Sequence, residues 1–258
     1  MRTTLLLFVT FFVFCILTET GCSSGSTVSN SSSPIVGSIA GNWHFVGTQS
    51  NPTGDEVQIV VEAHFDSQNQ VTSAFAFTYH VSGLYYDAEA PCDTWPASVS
   101  ASMNGQNVSL TSGSYQFGGT IVNGSITGSF TTTCSGISGG SFTASMVGDV
   151  PSASFSGITN ENSFSNFPVG TNYCPFGVDL QSASLSSQNS SASLSGQFNC
   201  NSQVVAFAMK GAQVGYAFSL SGTFGNTVAF YPPQTIGIKY LYLFNPQTGS
   251  SGGALLPQ

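Results

Sequence analysis

The chain has very little positive charge. Only three of its 258 residues are Lys or Arg, eleven are Asp or Glu, and charged residues make up 5% of the sequence. A nucleic-acid site needs several cations along one face, and electrostatic attachment to anionic lipid needs a basic cluster. The composition therefore excludes nucleic acids as partners and excludes charge-based attachment to a membrane surface.

Familiar catalytic and metal-binding motifs are also missing. The sequence contains no Cys-x-x-Cys pair, no Gly-x-Ser-x-Gly, no P-loop, no His-Glu-x-x-His and no EF-hand loop. We therefore assign no catalytic residue and expect no cofactor. After residue 22 no stretch keeps a 3.6-residue hydrophobic period, which excludes long amphipathic helices.

What the chain does contain is short apolar segments and many hydroxyl side chains. Hydrophobic residues make up 41% of the sequence and 21 residues are Phe. Segments of alternating hydrophobicity are separated by Gly, Asn and Ser turns, a pattern typical of antiparallel sheets. We predict an all-β protein whose antiparallel meander forms a barrel or a two-sheet sandwich, with no helix beyond residue 22.

The first 22 residues have the layout of an export signal. Arg2 precedes an apolar run over residues 5–17, and Gly21 precedes Cys22. A small residue before a cysteine, followed by a Ser-rich tail, resembles the lipobox of bacterial lipoproteins. The resemblance implies that Cys22 is lipidated and anchors the protein in the bacterial outer membrane, the periplasm or the cell surface. An ordinary cleaved signal is the alternative, because Glu19 stands where lipoboxes have an aliphatic residue.

Composition divides the rest of the chain. Residues 1–21 form the signal peptide, residues 22–34 a lipidated cysteine with a flexible Ser-rich tether, residues 35–245 a single all-β domain, and residues 246–258 a loose tail. A repeat indicates two similar halves, residues 35–149 and 150–245. Cys92 and Cys174 are 82 residues apart, and Met103 and Leu185 keep the same offset.

Four cysteines remain once Cys15 has left with the signal and Cys22 carries the lipid. An even number in an oxidising compartment predicts two disulfides among Cys92, Cys134, Cys174 and Cys200. Four cysteines allow three pairings. The repeat favours pairing within each half, as Cys92–Cys134 and Cys174–Cys200.

One hairpin is specific enough to predict a register. Two alternating segments, residues 57–66 and 71–81, flank a three-residue loop in which Asn69 adopts the left-handed conformation. With Asp66 opposite Gln70, this places Val61 opposite Phe75, so that the apolar faces of both strands point to one core.

The segment over residues 83–96 is predicted to be a long loop. It carries acidic and aromatic side chains that suit a ligand site, because aromatic faces stack on sugars and carboxylates hold sugar hydroxyls. The candidate ligand-binding residues are Tyr85, Tyr86, Asp87, Glu89, Asp93 and Trp95. The alternative is a loop that only caps one end of the β structure.

All three histidines lie in the first three predicted strands. If Trp43 and Val61 face inward, then His44, Glu62 and His64 share the outer face. Two imidazoles and one carboxylate are a plausible ligand set for a divalent metal. The alternative is a solvated sheet face with cross-strand polar pairs.

Gly41-Asn42-Trp43 resembles the Gly-x-Trp motif at the start of the first strand in lipocalins, and Thr171-Asn172-Tyr173 is similar to that family's Thr-Asp-Tyr motif. The resemblance implies an eight-stranded barrel that holds a small apolar ligand. The third motif of the family is an Arg over the Trp, and no Arg remains here after export.

These observations favour an exported, lipid-anchored binding or surface-interaction module of the bacterial envelope. Its expected partner is a glycan, a small apolar ligand or another protein. Two alternatives remain open: an envelope hydrolase that uses carboxylates of residues 85–95, and a structural or adhesion spacer.

Overall fold

A computed structural model describes residues 38–49, 56–82, 85–89, 99–134, 138–160, 168–169, 172–173, 179–200, 202–231, 233, 239–246 and 251–256. All described residues belong to one compact unit, Val36–Gln258. These residues form strands, turns and connecting segments without any helix, which confirms the all-β prediction. Consequently the described part contains no helix that could span a membrane.

The first half of this unit builds one antiparallel sheet. Its nine strands are β1 (Gly41–Gln49), β2 (Glu56–Phe65), β3 (Val71–Ser82), β4 (Tyr85–Glu89), β5 (Val99–Asn104), β6 (Asn107–Ser112), β7 (Tyr115–Val122), β8 (Ser125–Thr132) and β9 (Gly140–Val147).

This first sheet has the strand order β4-β3-β2-β1-β9-β8-β7-β6-β5. It curls so far that β5, at one edge, approaches β3 near the other edge. Alternate side chains point inside and fill the enclosed space with a core that includes Trp43, Phe45, Phe117, Phe130 and Phe142. The interior cavity implied by the lipocalin resemblance is thus occupied here by aromatic rings.

The second half builds the remaining strands. They are β10 (Ala153–Ser156), β11 (Thr159–Asn160), β12 (Pro168–Val169), β13 (Asn172–Tyr173), β14 (Asp179–Gln188), β15 (Ser191–Cys200), β16 (Gln203–Val214), β17 (Ala217–Gly222), β18 (Gly225–Phe230), β19 (Lys239–Phe244) and β20 (Ser251–Leu256). β12 and β13 pair only with each other.

The second sheet has the order β10-β14-β15-β16-β17-β18-β19-β20-β11. Its two edge strands are separated along the chain by only Gly157 and Ile158. Because two residues span only a short distance, the edges lie close together and the sheet curls around its own core. That core includes Leu194, Phe198 and Phe224.

A third cluster lies between the two curled sheets. Val60, Phe75 and Phe77 project from the outer face of the first sheet, and Phe230 and Tyr242 from the second. The rings of Phe77 and Phe230 lie 4.7 Å apart between centroids. The outer face of β2 and β3 is therefore an interface and not a solvated surface.

This interface explains why the predicted register of the β2–β3 hairpin was wrong. The loop is as expected: Asp66 N donates to Gln70 O at 2.9 Å, and Asn69 has φ +59°. A bulge between His64 and Phe65 then shifts the pairing, so that Val61 lies opposite Ala76 and not Phe75. The shift directs the Phe residues of β3 to the second sheet and leaves alanines facing the first core.

Two further predictions need correction. The tail over residues 246–258 is not loose throughout, because Ser251–Leu256 forms β20 and pairs with both β19 and β11. The segment predicted as the loop 83–96 contains the strand β4, which pairs with β3. The predicted signal peptide, the predicted tether and Cys22 lie outside the described residues, so they stay predictions.

Candidate functional site

The structure places a buried polar network between the two sheets. On the first sheet, His44 lies directly opposite Glu62 in the β1–β2 register. His44 Nδ1 and Glu62 Oε1 are 2.6 Å apart, and Glu62 is fully buried. The second carboxylate oxygen accepts a hydrogen bond from the backbone N–H of Tyr216, which belongs to the β16–β17 turn of the second sheet, at 2.8 Å.

A second pair in the same register strengthens the contact. Asn42 lies opposite His64. The Asn42 carbonyl oxygen accepts from His64 Nδ1 at 2.9 Å and from the Gly215 N–H at 3.2 Å. Its amide donates to Ser190 Oγ at 3.3 Å. Asn42 thus contacts two turns of the second sheet, β14–β15 and β16–β17.

On the second-sheet side of the network, the side chain of Gln213 forms three hydrogen bonds. This side chain is 1% exposed and donates to the backbone oxygens of Gly148 and Gly215 at 3.0 and 2.9 Å. Its own oxygen accepts from Ser187 Oγ, which in turn accepts from the Val150 N–H. Since Gly148 and Val150 belong to the segment that connects β9 with β10, the connection between the sheets is fixed by the same hydrogen bonds.

Gly215 is required at its position. Its φ is +62°, and a Cβ there would lie 2.0 Å from Glu62 Oε2. A side chain would therefore push the turn away from the carboxylate that its neighbour, Tyr216, binds. Burial and the nearby Glu62 carboxylate raise the pKa of the Tyr216 phenol above its usual value. The ring edge of Tyr216 packs on the imidazole of His44, with centroids 5.0 Å apart.

The hydrogen bonds of this network hold the two sheets against each other. Its carboxylate, imidazoles and amides bind groups of the protein itself, and buried polar groups that are fully hydrogen-bonded specify one arrangement of packed elements. We call the set Asn42, His44, Glu62, His64, Gln213 and Tyr216 the inter-sheet network.

The predicted metal set does not form. The first two strands do pair, and His44, Glu62 and His64 share one face of the sheet as expected. However, both Glu62 oxygens are engaged, and His64 binds Asn42. The described part of the chain contains no group of three His, Cys, Asp or Glu side chains that could hold a metal ion.

A separate pocket opens where the interface between the sheets ends. Its volume is about 420 Å³. Lys210, Ser221 and Asn226 face one another across β16, β17 and β18, since Lys210 pairs with Ser221 and Ser221 with Asn226. The described lining consists of Phe75, Lys210, Gly211, Ser219, Leu220, Ser221, Asn226, Thr227, Val228 and Pro246. We call it the β16–β18 pocket.

Four of the six predicted ligand-binding residues are described by the structure. Tyr85, Tyr86, Asp87 and Glu89 lie on the edge strand β4, with Asp87 opposite His80. Asp93 and Trp95 lie outside the described residues.

Two of the four predicted disulfide cysteines are described. Cys134 and Cys200 each take part in a disulfide, and the partner of neither is among the described contacts. Cys92 and Cys174 lie outside the described residues, so the pairing within halves stays a prediction.

The sequence analysis missed both the second-sheet side of the network and the pocket. One signal was present for the network. Phe207, Met209 and Gln213 occupy inward positions of β16, and a polar residue in such a series indicates a buried hydrogen-bonded group. The pocket had no comparable signal, because Phe75 and Lys210 come from different sheets.

Comparison with known proteins adds no further assignment. No protein-family model and no curated protein matches this chain.

Proposed function

We propose that this protein is a non-enzymatic binding module of the bacterial envelope, and that its β16–β18 pocket holds part of a glycan. The observation that carries the proposal is the make-up of the pocket. Hydroxyl and amide groups of Ser219, Ser221 and Asn226 stand beside the apolar side chains of Phe75 and Val228. Sugars present the same mixture, with hydroxyls around the ring edge and C–H groups on its faces.

The size of the pocket supports the same class of ligand. Pockets for small molecules usually have about 300–1,000 Å³, and this one has about 420 Å³. Ser221 and Asn226 are exposed, so their hydrogen-bonding groups are accessible to a ligand. Phe75 and Val228 line the pocket and belong to the same apolar cluster as Phe77 and Phe230 of the adjoining interface, so the apolar side of the pocket is continuous with that interface.

The proposed location rests on the sequence of residues 1–22. Export with lipid attachment at Cys22 would hold the domain at the envelope and leave the pocket free to meet surface glycans. Mass spectrometry of the mature protein is expected to find a diacylglyceryl group on an N-terminal Cys22. An unmodified N-terminus beyond residue 22 would contradict the anchor without affecting the pocket.

Filling the pocket is expected to abolish glycan binding while the fold is kept. Ser221→Trp introduces an indole at an exposed position, where the substitution should change stability by less than about 0.5 kcal/mol. Binding would be measured with the purified protein on an array of immobilised neutral and acidic oligosaccharides. We expect the parent protein to bind at least one class and the variant to lose that binding.

Ser195→Trp is the matched control. Ser195 is exposed on β15 and lies on the same face of the sheet, two residues from the partner of Lys210, but it does not line the pocket. This variant should bind as the parent does. Equal binding by Ser221→Trp and Ser195→Trp would exclude the pocket as the glycan site.

A further inference from the structure

We infer that the β16–β18 pocket is selective for a carboxylated sugar, whose carboxylate is bound by Lys210. The inference rests on the proposed function, because it names the class of glycan that the pocket takes. It starts from the position of Lys210, which is exposed on β16 and lines the pocket beside Ser221.

Lys210 is the charged side chain in the described lining of the pocket. Acidic residues outnumber basic residues eleven to three in this chain. Glu62 is bound to His44 in the inter-sheet network, and the described lining of the pocket contains no Asp or Glu. Within the described lining, no carboxylate therefore competes with a negatively charged ligand for the ammonium group.

The neighbouring groups suit a sugar acid better than a simple anion. Ser221 and Asn226 continue the polar row from the lysine across β17 and β18. Ser219 also lines the pocket, and Val228 and Phe75 provide apolar contact. A carboxylate on the ring would bind the ammonium through a charge-assisted hydrogen bond, while ring hydroxyls reach the serines and the amide. A small inorganic anion would leave most of the 420 Å³ unused.

The test uses pairs of oligosaccharides that differ only in the carboxyl group. Trimers of galacturonate and of mannuronate, and the carboxyl-reduced form of each, are titrated into the purified full-length protein by calorimetry. We expect one carboxylated trimer to bind about tenfold more tightly than its reduced form, as one charge-assisted hydrogen bond predicts. This preference should shrink as the salt concentration rises.

Lys210→Gln should remove the preference, so that the carboxylated trimer binds no more tightly to this variant than its reduced form does. Lys239→Gln is the matched control, because it removes the same charge from β19. The pocket residue Val228 pairs with Phe244 at the other end of that strand. This variant should keep the preference for the carboxylated trimer. If Lys210→Gln still prefers the carboxylated trimer, the inference is wrong and the glycan proposal stands. If the parent protein binds none of these trimers and no glycan of the array, the proposed function fails with it.

Discussion

Replacing Glu62 with alanine is expected to lower the free energy of unfolding by about 3–5 kcal/mol, the usual cost of removing one partner from a buried polar pair. Glu62 is fully buried, and its two oxygens bind His44 Nδ1 and the Tyr216 N–H. Alanine would leave both groups buried and unpaired, at about 1–3 kcal/mol each. Urea denaturation with intact disulfides, followed by tryptophan fluorescence, measures the loss.

Two further variants make the result specific. Asp179→Ala removes an acidic side chain from an exposed position on β14 and should cost less than about 0.5 kcal/mol. Glu62→Gln keeps an oxygen that can accept a hydrogen bond from the Tyr216 N–H. Its decrease in the free energy of unfolding should therefore lie between those of Glu62→Ala and Asp179→Ala. A loss below about 1 kcal/mol for Glu62→Ala would mean that the inter-sheet network does not stabilise the fold.

The elements of this fold were predictable from local patterns. Alternation over residues 57–66 and 71–81 located β2 and β3, and the preference of Asn for the left-handed region located the turn at Asn69. These signals depend on neighbours within a few residues. The position of the bulge at His64 and Phe65 depends on what covers the sheet, and that partner lies more than 130 residues later in the sequence.

The same limit applies to the candidate site. The shared face of His44 and Glu62 followed from the alternation of side chains along β1 and β2. The burial of Glu62 did not, because the covering turn at Gly215 and Tyr216 belongs to the other sheet. A sheet face that looks solvated in isolation became an interface. Consequently these residues were interpreted as metal ligands, whereas in the structure their side chains form hydrogen bonds within the inter-sheet network.

Phe45→Ala is expected to lower the free energy of unfolding by about 3–5 kcal/mol, the range for truncating a buried Phe. Phe45 is fully buried at the centre of the first core, with its ring 5.9 Å from that of Phe117 and 5.8 Å from that of Phe142. Phe198→Ala is the matched variant in the second core, where Phe198 is equally buried and its ring lies 5.1 Å from that of Phe224.

The pair of variants also decides whether the two sheets unfold together. Each sheet has its own core, which would allow independent unfolding, but the Phe77–Phe230 contact and the inter-sheet network join the two cores. We therefore expect one transition in both variants, with coincident curves from tryptophan fluorescence and far-ultraviolet circular dichroism. Trp43 reports on the first core. The contrary result would be a fluorescence change in Phe45→Ala at a urea concentration where half of the circular-dichroism signal of the strands persists. The second sheet would then be stable alone, and the interface would be too weak to couple the unfolding of the two sheets.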